Sequence, residues 1–304
     1  MGPQPLLPAA TIGSDPWDQA LLAFLVEKGN RSGSRRTVES YGRMLWPFFA
    51  DLGKTPDRVT PADVLTWAYG IGKSGRTPSA TTITARIACL SSFYRFLIRM
   101  GAVTSNPCDA LQRPRTMPAP ARGLSADQVR RLLAVVPDTV RGRRDRALLL
   151  TFILTGRRRS EVLNLRAGDI LVGDDLVMYQ YRGKGGKTGR RELPRPAYEA
   201  ILATLADAGR ELAVMAPEES LWRITSGTFA GRFRNYLQAA GVAPTGLHVL
   251  RHSAAKLRRD AGETVEAVSQ FLDHSSLSVT TVYLRRIEGV EDHAWRTVAE
   301  AIGA

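Results

Sequence analysis

Cysteine is almost absent: Cys89 and Cys108 are the two in 304 residues, and they carry no CxxC spacing. That excludes a disulfide framework and a thiolate zinc cage, and a reducing, cytoplasmic setting is expected. Histidine is equally sparse, with four residues that all fall in the last fifth of the chain. No apolar run approaches the roughly 18 residues that span a bilayer, and Met1 to Ser14 has no basic segment followed by an apolar one. Membrane insertion and secretion are therefore not expected. Lysine is scarce too, since 36 of the 42 basic side chains are arginine.

What is abundant is positive charge. The formal net charge is +13, divided +4 before residue 113 and +9 after it, so both parts suit a polyanion such as nucleic acid. Arginine adds a planar fork able to hold a phosphate bidentately, although a GC-rich genome enriches arginine without any function. The remaining balance, 44% hydrophobic and 23% charged, is that of an ordinary globular protein.

The periodicity predicts a mainly α protein of two domains. Residues 1–14, with three prolines, read as a flexible tail. Residues 15–112 read as a four-helix bundle. Asp15 and Pro16 open its first helix, which Gly29 is expected to stop; the others start near Ser34, at Thr60-Pro61 and at Ser79. In the fourth helix Ile83, Ile87, Leu90, Tyr94, Leu97 and Ile98 are expected to face inward, with Gly101 ending it. Residues 113–123 read as a basic, proline-containing linker. Residues 124–304 form a mixed α+β domain. A capping box at Ser125 and Gln128 opens it, and helices follow over Arg143–Leu154 and from Ser160. A small antiparallel sheet is expected from Ile170–Val172, Leu176–Tyr181 and Arg191–Leu193, with a turn at Gly183-Lys184-Gly185-Gly186. Further helices follow, the last within 290–304.

His248-Val249-Leu250-Arg251-His252 concentrates chemistry. On a helix, positions 248, 251 and 252 share a face, so His248 and Arg251 can address one ligand. An arginine between the histidines opposes a divalent cation, and no HExxH or third carboxylate ligand accompanies them, so an anion fits better than zinc. No cofactor and no metal are expected.

Four motifs in one order extend this. Thr155-Gly156-Arg157-Arg158-Arg159-Ser160-Glu161 is similar to the first arginine box of the tyrosine recombinases of the phage-integrase family. Gly183-Lys184-Gly185 is similar to their lysine turn, and His248-Val249-Leu250-Arg251-His252-Ser253 to their second box. Leu272-Asp273-His274-Ser275-Ser276 through Tyr283 resembles their terminal box. The front half also matches, through Thr37, Tyr41, Phe93-Tyr94-Arg95-Phe96-Leu97 and Asn106-Pro107. Each motif alone is common, and it is their joint order that is specific. Two positions depart from the pattern: Asp273, where the family usually has glycine, and Arg157, where an apolar residue is usual.

The resemblance implies an N-terminal core-binding DNA domain, a C-terminal catalytic domain and six catalytic residues: Arg158, Lys184, His248, Arg251, His274 and the nucleophile Tyr283. A phosphodiester under attack spreads negative charge over its non-bridging oxygens, which two guanidiniums, Arg158 and Arg251, can hold. A tyrosine hydroxyl titrates near about 10, so it needs a proton acceptor at neutral pH, and His248 is the candidate. Lys184 can protonate the leaving 5′ oxygen, and His274 can hydrogen-bond a phosphate oxygen. Glu161, three residues beyond Arg158, can orient its guanidinium. The implied activity is site-specific DNA recombination through a 3′-phosphotyrosyl intermediate. Its implied partners are double-stranded DNA and a tetramer of the chain on paired sites, with room for a partner recombinase or accessory protein. No arm-site domain is expected ahead of residue 15, which favours a simple, Xer-like recombinase. The competing readings are a non-catalytic DNA-binding protein of the same fold, which would be free to lose Tyr283, and a type IB topoisomerase. His252 and Cys89 read as packing residues, His293 as a surface residue, and Tyr179, Tyr181 and Tyr198 as packing rather than as nucleophiles.

Because the charge stabilisation falls to arginine, lysine and histidine side chains, DNA cleavage is expected to persist in excess EDTA. Loss of cleavage that only magnesium or zinc restores would contradict that assignment.

Overall fold

The computed structural model describes residues 15–72, 75–115, 123–182 and 188–273. The chain divides into two compact units, Met1–Met117 and Pro118–Ala304. It is mainly helical, with one small antiparallel sheet in the second unit. Residues 1–14, most of the expected linker and the expected helix within 290–304 lie outside the described residues. Among the described residues, no helix is long and apolar enough to cross a membrane.

The first unit holds α1 (Pro16–Ser32), α2 (Arg35–Leu52), α3 (Pro61–Tyr69) and α4 (Ala80–Arg99). Their starts follow the capping residues in the sequence. Asp15 accepts from the Trp17 N–H at 2.9 Å, and Ser79 accepts from Thr82 at 3.2 Å. Thr60 and Asp63 cap each other's backbone N–H reciprocally. Gly29 does not stop α1. It is buried inside the helix, and Gly33, with φ of 58°, supplies the left-handed cap. The helix α2 runs through Pro47 to Leu52. An aromatic cluster fills the centre, where Phe24 meets Phe93 edge-on at 5.3 Å and Phe48 lies 4.7 Å from Trp67. The buried Tyr94 hydroxyl donates to the Pro56 carbonyl at 2.8 Å, and Cys89 is core. Ile98, expected to face inward, is 39% exposed. It sits one residue past Leu97 in the last turn, off the stripe that Ile83, Ile87, Leu90, Tyr94 and Leu97 bury.

The second unit begins with α5 (Ala126–Ala134), whose Ser125–Gln128 capping box forms as read. Next come α6 (Val140–Thr155) and the short α7 (Arg159–Leu163). The strands β1 (Ile170–Val172), β2 (Val177–Arg182) and β3 (Thr188–Glu192) make a three-stranded antiparallel sheet in the order β1-β2-β3. Its register pairs Ile170 with Tyr179 and Tyr179 with Arg191. The helices α8 (Arg195–Ala206), α9 (Ser226–Ala239), α10 (His248–Asp260) and α11 (Val265–Phe271) complete the described part. The helix α6, largely apolar from Ala147 to Leu154, is the central post, packing against both α8 and α10. Its one buried carboxylate, Asp145, is met by Arg232 and Tyr236 of α9 at 3.1 and 2.9 Å, so it does not enter the core alone.

The five-residue α7 is too short to be stable by itself and takes its position from tertiary contacts. Buried Trp222 supplies one, its indole N–H donating to the Val162 carbonyl at 2.7 Å. Trp222→Phe is expected to lower stability by about 1 to 3 kcal/mol, through the lost hydrogen bond and the smaller ring. Urea denaturation checks this, and a loss under about 0.5 kcal/mol would show that α7 is held otherwise.

Candidate active site

The first arginine box lies on the turn between α6 and α7. Gly156 ends α6 with φ of 62°, and a Cβ built there would come within 2.5 Å of the Phe271 ring and 2.9 Å of the Leu272 side chain. Glycine is required twice over, for the left-handed backbone and for the close approach of α11. The three arginines that follow diverge. Arg157 is 1% exposed and turns inward, while the Arg158 side chain is 39% exposed. Arg158 stands at the N-cap of α7. Glu161, 4% exposed, accepts from the Arg158 backbone N–H at 2.8 Å with one oxygen and from Nη1 at 2.9 Å with the other. One carboxylate thus satisfies a helix-start donor and fixes the direction of the guanidinium.

The second box opens α10. His248 is its first residue, and Arg251, one turn on, is 2% exposed. The Arg251 guanidinium donates to the Gly156 carbonyl at 2.7 Å and to the Leu272 carbonyl at 2.6 Å. It therefore ties the first box, α10 and the end of α11 together. Carbonyl oxygens hold a guanidinium in place without cancelling its charge, so these bonds preserve positive potential. His248 feels it. Partial burial, then the Arg251 charge, then the Arg158 charge hold its imidazole below the ordinary histidine value. Its neutral form, the one able to accept a proton, is favoured accordingly. The His252 ring packs edge-on against it, with centroids 4.7 Å apart.

The structure thus brings Arg158, Glu161, His248 and Arg251 together. Lys184, His274 and Tyr283 lie outside the described residues, as does His293. Tyr179 and Tyr181 are buried strand residues, and Tyr198 packs against the core from α8. Among the described residues, no three histidine, cysteine, aspartate or glutamate side chains gather as a metal cage.

Sequence reasoning noted Arg157 and Asp273 as separate departures and missed their relation. Arg157 donates to the Asp273 carboxylate and to the Phe271 carbonyl, and its Nε to the Thr155 carbonyl at 3.1 Å. Asp273 also accepts from the Tyr181 hydroxyl and from Arg191 Nη2, the latter at 2.6 Å. Burial opposes ionisation of this carboxyl, but the Tyr181 hydrogen bond and the Arg157 and Arg191 charges outweigh it and hold its pKa below the ordinary range. The available signal was that two unusual residues of opposite charge occur together.

Residues 122–288 match the model of the phage integrase family, and residues 21–101 match the phage integrase N-terminal SAM-like domain. The tyrosine recombinase XerC of Mycobacterium bovis is 30% identical over 289 residues, covering 88% of this chain and 93% of that protein. The tyrosine recombinase XerD of Lacticaseibacillus casei is 27% identical over 262 residues, covering 83% and 88%. In fold, a lambda integrase fragment in a dimer bound to a COC′ core site aligns with a TM-score of 0.70 at 17% identity, covering 90% of this chain and 97% of that one. The XerH recombinase bound to its difH substrate aligns with a TM-score of 0.64 at 15% identity, covering 96% and 90%. A family model spanning more than half of the chain and a 30% identical relative along most of it lead to one conclusion: this chain belongs to the phage integrase family of tyrosine recombinases, and it is Xer-like.

Proposed function

We propose that this protein is a site-specific DNA recombinase that cleaves and rejoins double-stranded DNA through a 3′-phosphotyrosyl intermediate. The observation that carries the proposal is that Arg251 of the second box donates to the Gly156 carbonyl of the first at 2.7 Å, which joins boxes over 90 residues apart in sequence and sets both arginine charges to act on His248. In this reading the two guanidiniums hold the non-bridging oxygens of the scissile phosphate as negative charge develops on them. The direction of Arg158 comes from Glu161. Fixed donors gain catalytic value because they need no reorganisation when the charge appears.

The attacking oxygen is assigned to Tyr283, and His248 accepts its proton. The Tyr283 oxygen forms a bond to phosphorus as the bond to the 5′ oxygen breaks, and Lys184 delivers a proton to that leaving oxygen. His274 donates to a phosphate oxygen. The phosphotyrosyl bond conserves the energy of the broken phosphodiester, so reversal by a second 5′ hydroxyl rejoins the strand.

The domain roles follow the same proposal. Residues 15–112 act as the core-binding DNA domain, 113–123 as the linker and 124–304 as the catalytic domain. The net positive charge of both halves supports contact with DNA from each. Fold neighbours have been determined as DNA complexes, including a lambda integrase tetramer bound to a Holliday junction, and we assign the same tetrameric assembly on paired sites to this chain.

Two substitution experiments test the assignment. Tyr283→Phe is expected to abolish covalent capture of a nicked suicide duplex while leaving binding nearly intact, since the change removes only the nucleophilic oxygen. A Phe variant that still forms a covalent adduct would overturn the nucleophile. A protein that binds but never forms an adduct would be the non-catalytic binder. Arg158→Ala and Arg251→Ala should each slow single-turnover cleavage by about 100- to 1,000-fold, roughly 3 to 4 kcal/mol of lost transition-state stabilisation. A drop of no more than about tenfold would place that arginine outside the site.

A further inference from the structure

Arg157 and Asp273 stand 116 residues apart in sequence and meet as an ion pair beside the two arginine boxes. Asp273 follows Leu272, the C-cap of α11, and its φ is 51°. That left-handed conformation suits glycine, and aspartate tolerates it better than most side chains. Here the side chain also fixes it. The carboxylate receives Arg157 from the turn before α7, the Tyr181 hydroxyl from β2 and Arg191 from β3. The carbonyls just before it are taken as well, Phe271 by Arg157 and Leu272 by Arg251. Three successive residues, 271 to 273, are therefore held by arginines of the two boxes. The next residue in the chain is His274.

The Arg157 guanidinium is enclosed by rings, with Tyr181 4.5 Å and Phe271 5.7 Å from its centre. Being 1% exposed, it does not present a charge to a DNA backbone. Removing Asp273 leaves Arg157 as a buried charge, whereas removing both does not; when Arg157 is removed, Asp273, whose side chain is 27% exposed, keeps Tyr181 and Arg191.

We propose that Arg157 and Asp273 form a positioning pair, a partly buried ion pair that fixes the direction in which the chain leaves α11, ahead of His274 and Tyr283 in the sequence. The pair acts through residues downstream of it and touches no substrate. The inference rests on the recombinase reading and adds to it the two positions at which the sequence departs from the family pattern. It requires that the two residues be coupled, and that their loss slow strand cleavage more than it weakens DNA binding.

The test uses the full chain and a nicked duplex first selected by covalent capture with the unaltered protein. Single-turnover cleavage at saturating protein and affinity for the same half-site are measured in parallel for each variant. Arg157→Met keeps the length of the side chain without its charge, and Asp273→Asn keeps the shape of the carboxylate. Each is expected to slow cleavage by about tenfold or more with affinity within about threefold. The double variant Arg157→Met/Asp273→Asn, which leaves no buried charge, is expected to cleave about fivefold or more faster than Asp273→Asn alone. The pair is refuted if the single variants cleave within about threefold of the unaltered protein, or if affinity falls as far as cleavage does. It is also refuted if the double variant is slowed by the product of the single effects, the behaviour of independent sites. If the unaltered protein captures no duplex, the recombinase reading falls first and the pair with it.

Discussion

The Arg251 guanidinium is the constraint on which the described site depends. A charge that is 2% exposed persists in a protein interior only when it is well partnered, and two main-chain carbonyls are among the partners here, Gly156 from the first arginine box and Leu272 from the end of α11. Each bond fixes a segment remote in sequence, so one side chain draws the elements into register. Gly156 makes this possible, because any Cβ at that position would collide with Phe271 and Leu272. These two bonds hold the cation through dipoles, which do not cancel its charge. The bonds of the Glu161 carboxylate run to Arg158 and direct that guanidinium. An imidazole set among these cations leans toward its neutral form, which suits a proton acceptor for a phenol.

A second layer stands behind the first. Arg157 and Asp273 close over the same α11 terminus from the side of the sheet, and Tyr181 and Arg191 bring β2 and β3 into the contact. Arg258 of α10 also lies 3.5 Å from the Phe271 ring centre, so this aromatic side chain has two guanidiniums near it. The small sheet acquires a purpose from this arrangement: it carries the residues that reach the turn at Asp273. The short α7 acquires one as well, since it aims Arg158 and is itself anchored by Trp222.

Local signals in the sequence were informative wherever local chemistry decides the structure. The capping residues Asp15, Thr60, Ser79 and Ser125 mark helix starts because their side chains satisfy donors two or three residues away. The relation of Arg158 to Glu161 was legible for the same reason, as a spacing of three on a helix. Gly29 misled because glycine marks a helix end only where the backbone turns left-handed. In α1 that happens four residues later, while Gly29 is buried within the helix. Ile98 misled because it lies one residue past Leu97, off the stripe that the helix buries. The contacts that build the site, from Arg251 to Gly156 and Leu272 and from Arg157 to Asp273, join segments between 21 and 116 residues apart, and no periodicity reports such pairs. The order of the motifs supplied what periodicity could not.

The central claim is that this site serves attack by Tyr283 on a DNA phosphate. The most direct measurement is to trap the covalent protein–DNA complex on an end-labelled nicked duplex, digest both components, and identify the nucleotide-bearing peptide by mass spectrometry. The account predicts a single modified peptide with the 3′-phosphoryl nucleotide on the oxygen of Tyr283. A nucleotide on Tyr179, Tyr181, Tyr198 or a serine, or one joined through a 5′ phosphate, would contradict it.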